Sequence, residues 1–411
     1  MANWIDSAAK LPEVSAEAFF SGQFFTEQLL TEQRLKRERQ HTSNIAHTRH
    51  TSNTGQPSQA VQNIAAAQSS NSQTPQNIIA LLCEQAQPLV IRDLVAHWPA
   101  VIAAKQGEIL PYLAPFATPE PITIYRAASS AQGRIFYNDD FTGFNFQAAQ
   151  KPMSELLSLL QIEQQQPTNT TYYMGSTHIG RFLPDFAADN NLHGYQAVAD
   201  YFTAVNTEPL VSLWLGTATQ IAAHYDFPQN IACCIAGERR FVVMPPEAVS
   251  GLYVGPLDIT PSGQPISLVN FAKPDLQRFP RFADVMSQAL VADLAPGDAI
   301  YIPSMWWHQV SSNSAVNGLV NYWWRDTPAY MGTPTDVLHH ALLSLKSLPM
   351  PQKQAWQALF EHFIFSEDNA PATELPQHVI KSATWQQAGL TPELAKRLQQ
   401  QIKQRVGRLT L

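Results

Sequence analysis

A mainly β fold is predicted for this chain: a double-stranded β-helix, or jelly roll, with flanking helices and a helical C-terminal region. Three observations carry the prediction. Between about residues 208 and 326, short apolar runs such as Leu210 to Gly216 and Asn230 to Ala236 are separated by Pro and Gly, which suits a jelly roll that wraps its ligands inside. Within that stretch His224-Tyr225-Asp226 and His308 stand in strand-like settings. Beyond residue 327 the apolar positions recur at three- and four-residue steps instead.

The elements follow in chain order. Residues 1–40 read as an amphipathic segment, with Phe19, Phe20, Phe24, Phe25, Leu29 and Leu30 at helix-like intervals before a charged run from Arg34 to Arg39. Residues 41–76 shift to Ser, Thr, Asn, Gln and Ala, the composition of a flexible low-complexity linker, so His41, His47 and His50 read as solvated. Residues 78–327 form the expected catalytic domain. Its first part carries a helix from Met153 to Gln165 and the turn-rich Tyr137-Asn138-Asp139-Asp140-Phe141-Thr142-Gly143, and its second part the strands. A connection rich in Pro, Gly and Ser between Pro246 and Ala292 is expected to border the pocket. In the helical region, residues 328–411, Val337, Leu338, Ala341, Leu342 and Leu345 mark one helix and Trp356, Leu359, Phe360 and Phe363 another. Thr391-Pro392-Glu393 starts a third.

Composition narrows the function classes. The 411 residues are 45% apolar, ample for a buried core, and the formal charge of −7 offers no basic footprint for duplex nucleic acid. Three cysteines, Cys83, Cys233 and Cys234, make neither a disulfide framework nor a zinc pattern, which suits a reducing compartment. No apolar run approaches the roughly twenty residues of a membrane span, and Met1-Ala2-Asn3-Trp4-Ile5-Asp6 lacks the character of a signal peptide. A cytoplasmic protein is expected.

The chemistry is concentrated in His224, Asp226 and His308. In a strand, residues i and i+2 share a face, so His224 and Asp226 can both aim inward while Tyr225 faces away. His308 comes from a distant strand, after the turn Pro296-Gly297-Asp298 and the apolar run Ala299-Ile300-Tyr301-Ile302. Two imidazoles and one carboxylate suit one face of an octahedral ferrous ion, with three positions left for an organic co-substrate and dioxygen. A bare His-x-Asp is weak evidence, and a core or surface role is the default for any one of the twelve histidines. The constellation raises the reading.

Taken together, His224-Tyr225-Asp226, Gln229-Asn230, Gly237-Glu238-Arg239-Arg240, Pro245-Pro246, Tyr301-Ile302-Pro303, Trp306-Trp307-His308 and Asn321-Tyr322-Trp323 resemble the JmjC-type, cupin-like 2-oxoglutarate oxygenases. The pattern lies nearest to their asparaginyl hydroxylases. The upstream phrase from Pro88 to Ala100 resembles the opening strand of that family. The resemblance implies Fe(II) on His224, Asp226 and His308, and 2-oxoglutarate as co-substrate against Tyr173, Asn230, Arg239 and Asn321. It also implies a homodimer through the C-terminal helices, where a bundle packed on the sheet is the plainer alternative. Two positions depart from the pattern. Arg239 stands where the relatives have lysine, giving a fork in place of a point charge, and Ile221 replaces a threonine hydroxyl.

Hydroxylation is favoured over halogenation, because Asp226 fills the coordination position that a halide would need. The expected substrate is a protein side chain, a modified nucleoside or another small molecule. Two alternatives stand beside this reading: a non-catalytic cupin-like metal-binding or interaction module, and metal-dependent oxygenation without an oxoacid. The tryptophans Trp306, Trp307, Trp323 and Trp324 read as core packing.

Overall fold

The computed structural model describes residues 4–22, 24, 77–261, 263–325, 327–365 and 390–407. The amphipathic segment beyond Phe24 and the whole of 41–76 lie outside the described residues. Two compact units divide the chain, Met1–Arg325 and Asp326–Leu411.

The described residues of the first unit form fifteen strands: β1 (Ala9–Lys10), β2 (Glu13–Ser15), β3 (Leu89–Arg92), β4 (Pro121–Ala127), β5 (Arg134–Ile135), β6 (Phe146–Pro152), β7 (Thr171–His178), β8 (Leu210–Gly216), β9 (Thr219–Tyr225), β10 (Gln229–Ala236), β11 (Arg239–Met244), β12 (Leu290–Leu294), β13 (Ala299–Ile302), β14 (Trp307–Ser312) and β15 (Asn317–Trp324). They build a six-stranded sheet in the order β1-β12-β11-β14-β9-β5 and a nine-stranded sheet in the order β2-β3-β13-β10-β15-β8-β7-β4-β6. The eight strands from β8 to β15 divide equally between the two sheets, β9, β11, β12 and β14 in one and β8, β10, β13 and β15 in the other, and make the jelly roll that the spacing of Pro and Gly predicts.

Side-chain alternation decides what each face holds. On β8, Leu213 and Leu215 point into a large apolar cluster shared with the helices, while Ser212 and Trp214 face the other way, between the sheets. Strand β10 has apolar neighbours on both faces, so Ile231, Cys233 and Ile235 alternate with Ala232 and Cys234, and all five are buried. Between the sheets, Phe241, Val243, Ala292, Ile300, Ile302 and Trp306 fill one end of the roll with apolar packing. The other end holds the cavity described below. The helix Met153–Gln165 has the bounds predicted for it and buries Met153, Leu156, Leu157 and Leu160 in the large cluster.

The N-terminal residues close the roll. Strand β1 pairs in parallel with β12 at the edge of one sheet, and β2 pairs in parallel with β3 in the other. Leu11, between them, is buried in the inter-sheet cluster. Seven residues therefore cover two sheet edges that would otherwise present unpaired N–H and C=O groups.

The turn Pro296-Gly297-Asp298 joins β12 to β13 through Gly297, at φ +115. Asp298 ties this turn together: its carboxylate accepts from the Asp93 amide at 3.1 Å, from the Ala295 amide at 3.0 Å and from Arg92 Nη1 at 2.6 Å. Asp298→Ala leaves the Asp93 and Ala295 amides unpaired and takes one of two carboxylates from Arg92, which keeps Glu13 and the Asp293 carbonyl. The unfolding free energy should fall by about 3 kcal/mol, measured by urea denaturation.

The second unit is helical. The helices Pro334–Leu345, Met350–Phe360 and Pro392–Val406 fall where the apolar periodicity predicts, and the last begins with Thr391 Oγ1 accepting from the Leu394 amide at 3.3 Å. Tyr330 donates its hydroxyl to the Leu390 carbonyl at 2.8 Å within this unit.

Candidate metal centre and its cavity

His224 and His308 are direct cross-strand partners on β9 and β14, with ring centroids 4.3 Å apart. A register shift follows between His308 and Val310, a bulge of the kind that re-aims side chains beside reactive sites. Asp226 follows the end of β9, and Tyr225 between the two residues turns to the opposite face, edge-on to Trp307 at 4.9 Å. The alternation expected from His-x-Asp is therefore present. One ligand atom from each of His224, Asp226 and His308 lies within 4.8 Å of the others.

Backbone contacts set these three side chains. The Met305 amide donates to the Asp226 carbonyl at 2.8 Å, with Met305 in the left-handed region at φ +69. Ser304 Oγ donates to the Phe227 carbonyl at 2.6 Å, and the Gln229 side-chain oxygen accepts from both Tyr301 Oη at 2.7 Å and the Ser304 amide at 3.1 Å. The segment before His308 is thus stitched to the segment after Asp226. Each imidazole also meets the carbonyl two residues before it, His224 Nδ1 with Ala222 at 2.9 Å and His308 Nδ1 with Trp306 at 3.1 Å. Nδ1 in each ring is then the donor, which leaves the Nε2 lone pair for a metal.

Electrostatics keep the His308 ring uncharged. Burial, then the neighbouring His224, push His308 down to about 4, against the pull of Asp226. His308 is neutral at physiological pH, so the 3.5 Å approach of its Nε2 to Asp226 Oδ2 is two ligand atoms facing a common point rather than an ion pair.

All three residues line a cavity of about 320 Å³ between the sheets. The positions assigned to the co-substrate line it too: Tyr173, Asn230, Arg239 and Asn321. Four buried polar atoms in its wall lack a partner among the described residues: the donors Arg239 Nε, Asn321 Nδ2 and Trp323 Nε1 and the amide oxygen of Asn230, whose Oδ1 and Nδ2 are interchangeable by a flip of the amide. Native interiors rarely leave such groups orphaned, so this concentration of donors fits a ligand with several oxygens. Arg239 is 4% exposed, unlike Arg240, which lies outside and pairs with Asp293 and Asp6. Burial lowers the Arg239 pKa, and burial raises that of the Tyr173 hydroxyl against the pull of Arg239, so the tyrosine remains a donor. A buried cation and a buried donor suit a carboxylate; a divalent ion suits the His-Asp-His cluster.

Ile221, the departure from the family pattern, lines the cavity as an apolar surface, and the connection after Pro246 borders it as expected, through Pro261, Gln264 and Ile266. The cavity also contains residues that sequence reasoning missed. Trp323 and Trp214 line it as well, with ring centroids 5.6 Å apart and planes at 79°. Trp323 lies two residues beyond Asn321 on β15, and that alternation was the available signal. Tyr125 and Phe146, edge to face at 5.2 Å, come from β4 and β6 outside the roll, and nothing local in the sequence marks them.

Residues 75–330 match the family described as "Cupin-like domain". Among characterised proteins, the chain is 33% identical over 116 residues to the lysine-specific demethylase JMJ31 of Arabidopsis thaliana, covering 28% of this chain and 21% of that protein. It is 26% identical over 262 residues to the human bifunctional peptidase and (3S)-lysyl hydroxylase JMJD7, covering 58% of this chain and 77% of that one. With the tRNA wybutosine-synthesizing protein 5 of Danio rerio it shares 28% identity over 149 residues, 36% of this chain and 40% of that protein.

Proposed function

Because this chain belongs to the cupin-like domain family, we propose that it is an Fe(II)- and 2-oxoglutarate-dependent oxygenase that hydroxylates a protein side chain or a small molecule. One observation carries the reading: a His-Asp-His cluster and a buried arginine without a carboxylate partner among the described residues share one cavity with orphaned amide groups. The relatives named above differ in substrate, so the support lies in chemistry held in common. The catalytic role is assigned to the 78–327 region.

Ferrous iron on His224, Asp226 and His308 would supply the redox chemistry with dioxygen and the oxoacid that side chains cannot. The chain supplies the rest. Neutral imidazoles offer Nε2, and Asp226 offsets the charge of a divalent ion. Arg239 and the Tyr173 hydroxyl would take the distal carboxylate, and Asn230 and Asn321 would donate to the remaining oxygens. Phe241, Val310, Leu319 and Ile221 exclude water, which strengthens each of these interactions. Tyr125, Phe146, Ser176 and Gln264 keep some exposure and mark the side from which substrate would enter.

The test is an anaerobic titration with Fe(II) and then 2-oxoglutarate, followed by visible absorption. A charge-transfer band that needs both additions is expected. Iron uptake without the band would overturn the oxoacid assignment, and no iron uptake would leave the binding-module alternative in its place.

The coarser structural facts support two further parts of this reading. The helices Pro334–Leu345 and Met350–Phe360 bury no residue and leave Val337, Leu338, Leu342, Trp356 and Leu359 exposed. Apolar faces of that kind mark interaction surfaces, and a second copy of the chain is the partner proposed. Light scattering should return twice the chain mass of 45.7 kDa; a single-chain mass would sink the dimer. No helix among the described residues is long and apolar enough to cross a membrane. Three cysteines are too few for a disulfide framework, and the cytoplasm is the proposed compartment.

A further inference from the structure

The two amides in the cavity wall are held differently. Asn321 accepts a hydrogen bond at 2.7 Å on Oδ1 from the indole N–H of Trp214. An indole nitrogen can only donate, so the amide oxygen must face it and Nδ2 must point elsewhere. That nitrogen is buried without a partner in a residue 1% exposed. Ser212, directly opposite on β8, does not take it up, since its own Oγ also lacks a partner. Among the described residues no side-chain hydrogen bond fixes Asn230 in the same way, and its Oδ1 is an orphan.

The indole is itself held. Trp214 pairs in register with Leu319 and reaches diagonally along β15 to Asn321. Trp323 meets it edge to face, and on its other side a Cβ added at Gly175 would come within 3.1 Å of the ring. The backbone of β7 thus packs close to the ring, and a smaller or rotated side chain would lose that support.

We propose that Trp214 is a positioning residue for the oxoacid: its N–H turns the Asn321 amide so that Nδ2, and not Oδ1, faces the co-substrate carboxylate. The proposal rests on the oxygenase reading. Without the indole N–H the amide is free to rotate, and half of its orientations present an acceptor oxygen to an anion. The effect of losing this bond therefore falls on the oxoacid, not on the iron.

The test compares wild type, Trp214→Phe, Asn321→Ala and the double variant, each as the full iron-loaded chain under anaerobic conditions, by calorimetric titration with 2-oxoglutarate. Trp214→Phe keeps a ring and removes the donor. Trp214→Tyr, which also has no donor at that point, serves as a second replacement should the first fold poorly. Trp214→Phe is expected to bind 2-oxoglutarate about tenfold more weakly, with iron affinity within about twofold of wild type. In the double variant, the loss should be no larger than in Asn321→Ala alone, because the tryptophan acts through the asparagine. Unchanged oxoacid affinity in Trp214→Phe, losses that add in the double variant, or an equal loss of iron affinity would each overturn the assignment. If the iron-loaded wild type itself ignores 2-oxoglutarate, the oxygenase reading falls first and this assignment goes with it.

Discussion

Asp226→Ala is expected to remain folded while losing iron affinity and turnover together, turnover by at least about a thousandfold. Among the described residues lining the cavity Asp226 is the sole carboxylate, and Arg239 is a buried cation in the same wall. A divalent ion entering beside two imidazoles therefore depends on this one protein anion for charge compensation. Removing it leaves a site of the wrong sign. The fold should survive, because Asp226 anchors the Met305 turn through its backbone carbonyl, which the substitution keeps. Asp226→Asn retains an oxygen ligand without the charge and should fall between. Equilibrium dialysis with Fe(II) under anaerobic conditions, with succinate formation as the activity readout, checks this. Wild-type iron content in Asp226→Ala would remove the metal assignment.

Arg239→Met should move stability and function in opposite directions. The guanidinium is buried and has Nε unpartnered, and its lowered pKa records the cost of holding that charge away from water. An apolar side chain of similar length should stabilise the ligand-free protein by about 1–3 kcal/mol, as replacement of uncompensated buried charge does elsewhere. The same change leaves the distal carboxylate of 2-oxoglutarate without its partner, and the KM for the oxoacid should rise at least about a hundredfold. Arg239→Lys keeps the charge and loses the fork, so its KM should rise less. Chemical denaturation of the ligand-free protein and steady-state kinetics give the two numbers. A stabilised variant with an unchanged KM would mean that the oxoacid binds elsewhere.

The parts of this site that could be read from residues alone are those set by local geometry. His224 and Asp226 are legible because alternation is a property of any strand, and the Pro-Gly-Asp turn announces the strand that leads to His308. Arg239 gained its role through resemblance, since a strand arginine beside another arginine has no local mark of burial; the sheets bury one and expose the other. Trp214 was illegible for a different reason. Within Leu210 to Gly216 an indole reads as packing, and the hydrogen bond that gives it meaning reaches a residue 107 positions away. Residues 9–15 were equally opaque, because strands of two and three residues carry no periodicity to detect.

Those same residues constrain the order in which the protein can be made. Ala9 pairs with Leu290 and Lys10 with Val291, so β1 waits for a partner synthesised about 280 residues later. At typical elongation rates that wait lasts on the order of ten seconds or more. Contacts so distant in sequence are also the slowest to form. Strand β2 waits far less, since Glu13 pairs with Val90, so the edge of β3 can be covered early while β1 stays without its partner until β12 is made.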